Sequence, residues 1–482
     1  ELCGVGRHFV GEPPRIRMNM PATTSCTVLL SLVLGALAGS PRSQDPASPA
    51  TRRDALDRAT EKLRELQVPD QGNPVSAPLP APATVGLGMQ SGPLRLIDVS
   101  LDIVAAVGGS TERDSTLADL QAGGHDPKKR GFTLQQAELS LAGAVDPWLQ
   151  AKAHLITFLD RDTGETVVEL EEAYLLTQQL PWDLQLKAGT FFTEFGRINP
   201  VHPHAWDWQD QPIINSRLFG ADGMRGPGAR LSWLLPTDTY TELFFGVHNA
   251  NGETMRSFLA NDKVYSEQPI GGRFFEEREV RSGNDLVYTA RALAAFDLGE
   301  TSSLGLGVSA LFGPNATGPD ADTLIFGGDF VFRWRPADNR RGYPFFKLQG
   351  EVMSRAFDAA EQTDDSDPLD PVTLPGKTLR DYGGYLQMLY GFQENWAAGV
   401  RVDLVSGGRA SYDATARTFD RDADAFRTDR VRVSPMLAYH PSEFSRVRLQ
   451  YNYDDSDHLG REAHSVWLGF EVLIGSHPPH AY

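Results

Sequence analysis

From Leu94 onward the chain is written in segments of about ten residues in which apolar and polar positions alternate. In 445–453, Val447, Leu449, Tyr451 and Tyr453 share one face, and Arg446, Arg448, Gln450 and Asn452 share the other. In 465–474, Val466, Leu468, Phe470, Val472 and Ile474 fall together. In 324–334, Leu324, Phe326, Phe330, Phe332 and Trp334 oppose Asp329 and Arg333, and in 396–404, Trp396, Ala398, Val400, Val402 and Leu404 oppose Arg401 and Asp403. Side chains two apart lie on the same face of a strand, so each segment predicts a strand with one apolar face. The predicted strands are 94–105, 132–144, 147–159, 167–178, 183–192, 228–236, 239–249, 286–297, 301–312, 323–335, 343–356, 379–392, 395–406, 429–441, 444–455 and 463–474.

A soluble sandwich also alternates, and two further features separate it from a membrane barrel. The apolar faces end in aromatics (Trp148, Trp182, Trp233, Trp334, Trp396, Trp467), as interfacial girdles do. The connections alternate between short and long along the whole chain, as periplasmic turns and outer loops do. The predicted fold is all-β: a transmembrane antiparallel β-barrel of about 16 strands over residues 94–482, with both ends of the barrel in the periplasm.

The region before the barrel reads differently. Residues 1–38 comprise upstream residues and a secretory signal: Thr27 to Ala38 is apolar but too short to span, since a helix needs about 20 residues, and Ala36-Leu37-Ala38 supplies a cleavage site. Residues 39–93 predict a short periplasmic helix, with Leu56, Ala59, Leu63 and Leu66 on one seam, and then a proline-rich linker from 68.

Composition narrows the function. The formal net charge of −18 over 482 residues argues against a nucleic-acid partner. The only cysteines, Cys3 and Cys26, precede the barrel, so a catalytic thiol, a cysteine-ligated metal and a disulfide framework are all unexpected in the folded body. Neither G-x-S-x-G nor H-E-x-x-H occurs, and His464-Ser465 lie on opposite faces of a strand, so no catalytic residues are expected.

Inward-facing charges of both signs predict a wet, polar interior. Pore-lining candidates are Lys152, His154, Lys187, Arg291, Arg333, Arg401, Asp403, Arg432, Arg446 and Arg448, with Glu138, Glu169, Glu171, Asp329, Lys347 and Glu351 also inward. Arg401, Arg432, Arg446 and Arg448 form a basic ladder, while the outer segment 357–378 is acidic, so weak overall ion selectivity is expected. The densest segment runs from Gly189 to Gly228. It carries His202, His204, Asp207 and Asp210 beside Trp206, Trp208 and Phe219. Imidazole and carboxylate are the usual cysteine-free ligands of Zn²⁺, which makes these four the candidate metal ligands; a rigid loop packed by its aromatics is the other reading.

The segments F-T-L-Q-Q-A-E-L-S-L, E-E-A-Y-L (171–175), F-G-R-I-N-P-V-H-P-H-A-W-D-W-Q-D-Q-P (195–212) and the final I-G-S-H-P-P-H-A-Y resemble a group of Gram-negative outer-membrane porin-like barrels, sometimes labelled zinc-regulated or TonB-dependent-receptor-like. The strand plan is more distantly similar to phosphate-selective porins. The resemblance implies location in the outer membrane, contact with its lipid, passage of small hydrophilic solutes or ions, and a homo-oligomer, a trimer in particular. It also implies that the third long loop folds inward as a constriction. A receptor's plug domain is not expected, because only 39–93 separate the signal from the first strand. The leading expectation is therefore a passive diffusion channel. Alternatives are a zinc-linked uptake or sensing barrel and a structural or adhesive barrel without transport.

Overall fold

The computed structural model describes residues 97–475 except 161, 162 and 179. The expected signal (1–38), helix and linker (39–93) and the tail from 476, with His477 and His480, lie outside the described residues.

Sixteen strands close into one antiparallel barrel. They are β1 (Asp98–Ser110), β2 (Gly131–Ala144), β3 (Leu149–Leu159), β4 (Thr166–Thr177), β5 (Leu184–Phe192), β6 (Arg225–Leu234), β7 (Tyr240–Asn249) and β8 (Leu286–Asp297). The second half comprises β9 (Ser302–Pro314), β10 (Asp322–Trp334), β11 (Phe345–Ala359), β12 (Lys377–Gln393), β13 (Trp396–Gly408), β14 (Arg430–Ser442), β15 (Ser445–Ser456) and β16 (Arg461–Gly475). Each pairs with its chain neighbours, and β1 closes on β16 from Ser100 opposite Gly475 to Ser110 opposite Ser465. Closure leaves no edge strand, which a bilayer would not tolerate. The first strand begins at Asp98, later than predicted, and runs five residues further, to Ser110 rather than 105.

The short turns are set by local chemistry. Asp146 Oδ1 accepts the backbone N–H groups of Trp148 (2.7 Å) and Leu149 (2.9 Å) between β2 and β3. Between β12 and β13, Asn395 takes φ +68°, a left-handed conformation that asparagine tolerates. At the other end the connections are long. Short helices form there: α1 (Asp114–Leu120) after β1, α2 (Ile213–Phe219) after β5 and α3 (Asp262–Glu267) after β7. Two small hairpins, 362–374 and 411–420, extend the loops after β11 and β13.

The outer wall is hydrocarbon. Val168, Phe245, Val352, Leu449 and Phe470 are all exposed. In water such a continuous belt would cost about 25 cal/mol per Å² of apolar surface, so it is built to face lipid. Trp148, Trp182, Trp233, Trp334 and Trp396 all stand at the short-turn end. Trp467 does not join them. It points inward, is fully buried, and fills space left by Gly108, where a Cβ would lie 2.3 Å from its ring.

The interior is not uniformly wet. Phe195, Ile198, Ile214, Leu218 and Phe219 from the segment after β5 pack with Met255 and Phe258 from the loop after β7. The wall meets them with Val287, Leu311, Ile325, Met353 and Val405 on β8 to β13. This apolar core inside the barrel corrects the expectation of a polar lumen. Its wall positions have the inward parity of the charged ones, and the inserted segment covers them.

Candidate functional site

Segment 193–224 leaves β5, enters the barrel and returns to β6. Its base is tied by Asn199. That side chain donates to Thr193 O (2.8 Å) and Met224 O (3.1 Å) and accepts from Met224 N–H (2.7 Å). Gly196 turns with φ +64°, a conformation glycine takes without a Cβ penalty. A Cβ there would lie 2.6 Å from Glu351 Oε2 on β11. Glu351 Oε1 in turn accepts the N–H groups of Arg197 and Ile198.

Further along, the arginine ladder grips the segment. Arg448 Nη1 donates to the carbonyls of Trp206 (2.9 Å), Asp207 (3.2 Å) and Trp208 (2.9 Å). Trp208 Nε1 donates to Ser434 O (2.8 Å), and Gln209 bonds Gln450 and Arg448 O, each at 2.9 Å. Asp210 is the central anchor. Its carboxylate accepts from Arg401 (2.7 Å), Arg432 (2.8 Å), Gln450 (2.8 Å), Asn452 (2.9 Å) and Gln121 (3.3 Å). Burial raises its pKa, but Arg401 and Arg432 outweigh that and hold it below the usual carboxylate range. Asp207 meets Lys347 and Gln387, each at 2.8 Å.

The two histidines go elsewhere, which corrects the four-residue metal set. Asp207 and Asp210 are bound to the β11–β15 wall, while His202 and His204 face β2–β4. His204 Nδ1 lies 2.9 Å from Glu138 Oε2. His202 Nδ1 lies 3.2 Å from the same oxygen and 2.8 Å from Glu171 Oε2, and its Nε2 bonds Glu172 Oε2 at 2.8 Å. His154 Nδ1 bonds Glu138 Oε1 at 3.0 Å, and its ring stands 4.5 Å from that of His202. Burial depresses the imidazole pKa of His202, yet Glu138 and Glu171 reverse this and hold it well above the ordinary value; His204 shifts the same way through Glu138.

Sequence reading found His154, Glu138 and Glu171 as inward groups but missed Glu172. A β-bulge explains it. On β4 the register shifts so that His154 opposes Glu172 and Leu155 opposes Leu170, which leaves Glu171 as the extra residue. Consecutive carboxylates thereby point into the same space. The signal was the repeated pair Glu171-Glu172, a sequence that strict alternation cannot place.

The pore-lining candidates divide. Lys152 and His154 on β3 remain partly exposed. Lys187, Arg291, Arg333, Arg401, Asp403, Arg432, Arg446 and Arg448 are nine-tenths or more buried. Arg291 bonds Asp329 (2.6 Å), Arg432 also bonds Asp454 (2.9 Å), and Arg448 also bonds Glu471 (3.0 Å). Arg446 pairs with Glu471 and donates to His204 O (2.7 Å). The expected ladder is therefore an anchor for the inserted segment rather than a water-facing basic stripe. Groups that still touch solvent lie beside β3–β5: Lys152, His154, Glu169 and, with side chains 12% and 10% exposed, Glu194 and Lys187.

No family model matches the chain. An uncharacterized protein of Aquifex aeolicus (strain VF5) is 28% identical over 411 residues, covering 80% of each chain. Among solved structures, OprB of Pseudomonas putida is similar with 12% identity and a TM-score of 0.48, over 79% of this chain and 94% of that one. The outer-membrane channel DcaP of Acinetobacter baumannii follows with 11% identity and a TM-score of 0.47, over 78% and 97%. An anion-selective porin from Comamonas acidovorans has 10% identity and a TM-score of 0.46, over 79% and 99%.

Proposed function

We propose that this chain is an outer-membrane channel for passive diffusion of small hydrophilic solutes, with segment 193–224 as its constriction. One observation carries the reading: a closed barrel with an apolar outer belt holds an inserted segment fastened to the β8–β15 wall and, through His202 and His204, to β2 and β4, while charged groups that touch solvent remain beside β3–β5. A barrel of this strand number has room for an aqueous path beside such a segment. Such a path would run along β3–β6, past the partly exposed Lys152 and Glu194 and beside the largely buried Lys187 and Arg230. Lys187 lies 3.7 Å from Glu172 and 3.9 Å from Glu194, and Arg230 lies 3.4 Å from Glu194. Paired charges of both signs in a narrow path favour hydrophilic solutes and give little ion selectivity.

The test is conductance of the purified, folded chain in planar bilayers. Small, weakly selective steps are expected, and deletion of Asn199 to Gln211 raises their size. A folded barrel that gives no steps in either form overturns the proposal. The homotrimer implied by the sequence resemblance is read by crosslinking in the same preparation.

A further inference from the structure

The cluster between segment 193–224 and β2–β4 has a composition that the channel reading does not use. Three buried carboxylates, Glu138, Glu171 and Glu172, converge on His202, with His154 and His204 at their sides. Moreover, neither oxygen of Glu171 accepts a hydrogen bond, although the side chain is 99% buried and one oxygen sits 2.8 Å from His202 Nδ1. That nitrogen makes no aligned hydrogen bond either. Buried polar atoms this close are normally either aligned in hydrogen bonds or bound to a cation, and several of these are not aligned.

We propose that Glu138, Glu171, His202 and His204 bind a divalent first-row transition metal, with Zn²⁺ the ion that fits best. Four N and O ligands suit Zn²⁺ in tetrahedral geometry and disfavour Ca²⁺ and Mg²⁺, which prefer oxygen alone. Bonds of about 2.0–2.1 Å put tetrahedral ligand atoms roughly 3.3 Å apart. Glu138, His202 and His204 each place a ligand atom within 4.8 Å of the others, with contacts of 2.9 and 3.2 Å, and Glu171 Oε2, 2.8 Å from His202 Nδ1, would have to move toward them to complete the set. The outer partners are also in place. Glu172 bonds the other nitrogen of His202, and His154 and Ser140 hold the other oxygen of Glu138 at 3.0 and 2.9 Å. Carboxylates of this kind fix the tautomer and raise the basicity of a ligating imidazole. A bound ion would join the inserted segment to β2 and β4 at once, so metal occupancy and the docked state of the constriction support each other.

The experiment is calorimetric titration of Zn²⁺ into the folded, chelator-treated chain carrying His477→Gln and His480→Gln, which removes tail histidines as a competing site. One ion per chain is expected, with Co²⁺ showing the visible absorption of a four-coordinate complex at the same stoichiometry. Glu171→Gln should lower affinity by about 100-fold or more, and Glu172→Gln, an outer partner, by about 10–100-fold. Heat-modifiable migration on a gel confirms that each variant is folded. Unaltered Zn²⁺ affinity in folded Glu171→Gln and His204→Gln, or equal competition by Ca²⁺, overturns the site. Binding is read without reference to solute passage, so this result and the conductance result stand or fall separately.

Discussion

Asp210→Asn is the sharpest probe of how the inserted segment is held. The substitution keeps the shape and removes the charge that five side-chain donors share. An amide can accept on one side only, and its own N–H₂ then faces donors. Breaking a buried pair by removing one partner costs about 3–5 kcal/mol, chiefly because the partner charge is stranded. Here Arg401 keeps Asp403 at 2.8 Å and Arg432 keeps Asp454 at 2.9 Å, so neither guanidinium is left uncompensated. The lower end applies, about 3 kcal/mol, or roughly a hundredfold in the ratio of docked to released segment. A thiol reporter reads that ratio. Ser216 on α2 is buried, and the only native cysteines are Cys3 and Cys26, which serine can replace. In that background the labelling rate of Ser216→Cys should rise about a hundredfold with Asp210→Asn, since it tracks the released fraction when opening is fast. Barrel closure, read by heat-modifiable migration, should persist because the strand ladder does not pass through Asp210. A folded variant labelled at the parental rate would refute the view that this carboxylate anchors the segment.

Other changes test other layers. Phe195→Ala removes a fully buried ring that stacks edge-on with Phe219 at 5.2 Å, and it should cost the segment's packing about 3–5 kcal/mol, seen as faster Ser216→Cys labelling. Gly108→Val places a Cβ 2.1 Å from Val466 O and 2.3 Å from Trp467 at the β1–β16 seam; overpacking of about 1–3 kcal/mol or more should lower the temperature at which the barrel's gel shift is lost. With metal chelated, the docking that His202 and His204 supply should be complete below their ordinary value of 6.5. It should be lost as pH rises through their raised folded values, so labelling corrected for thiolate fraction stays flat in acid and climbs in alkali.

The barrel was legible because its signal is repeated sixteen times and each copy is read by the same rule. A lipid-facing apolar position must alternate with an inward one, so even irregular segments such as 324–334 assign themselves. Boundaries at the long-loop end were less legible. β1 runs on to Ser110 through Gly108 and Gly109, residues of low strand propensity kept in the sheet by pairing with Trp467 and Val466 on β16. Trp467 was misplaced for a related reason. Read by residue type a strand tryptophan resembles a girdle residue, although its neighbours Val466 and Leu468 give it inward parity, and the glycine opposite, more than 350 positions away, shows that the interior has room for it.

The interior was less legible, because parity says which way a side chain points and not what meets it. Arg401, Arg432 and Arg448 were assigned inward, and they are inward; whether they face water depends on Asp210 and on the carbonyls of 206–208, which belong to a segment about 200 residues earlier. One clue was present. Val287, Leu311, Ile325, Met353 and Val405 have inward parity on β8 to β13, and a water-filled lumen gives no reason to keep five apolar side chains there. They require a covering element, and Phe195, Ile214 and Phe219 in the densest segment of the chain are of the right kind to supply it. The histidines then follow by exclusion. With Asp207 and Asp210 held by Lys347, Arg401 and Arg432, the acids left for His202 and His204 come from the opposite wall. There the β4 bulge turns Glu171 and Glu172 toward them together. The same insertion thus neutralises the basic side of the lumen with aspartates and brings imidazoles to its acidic side.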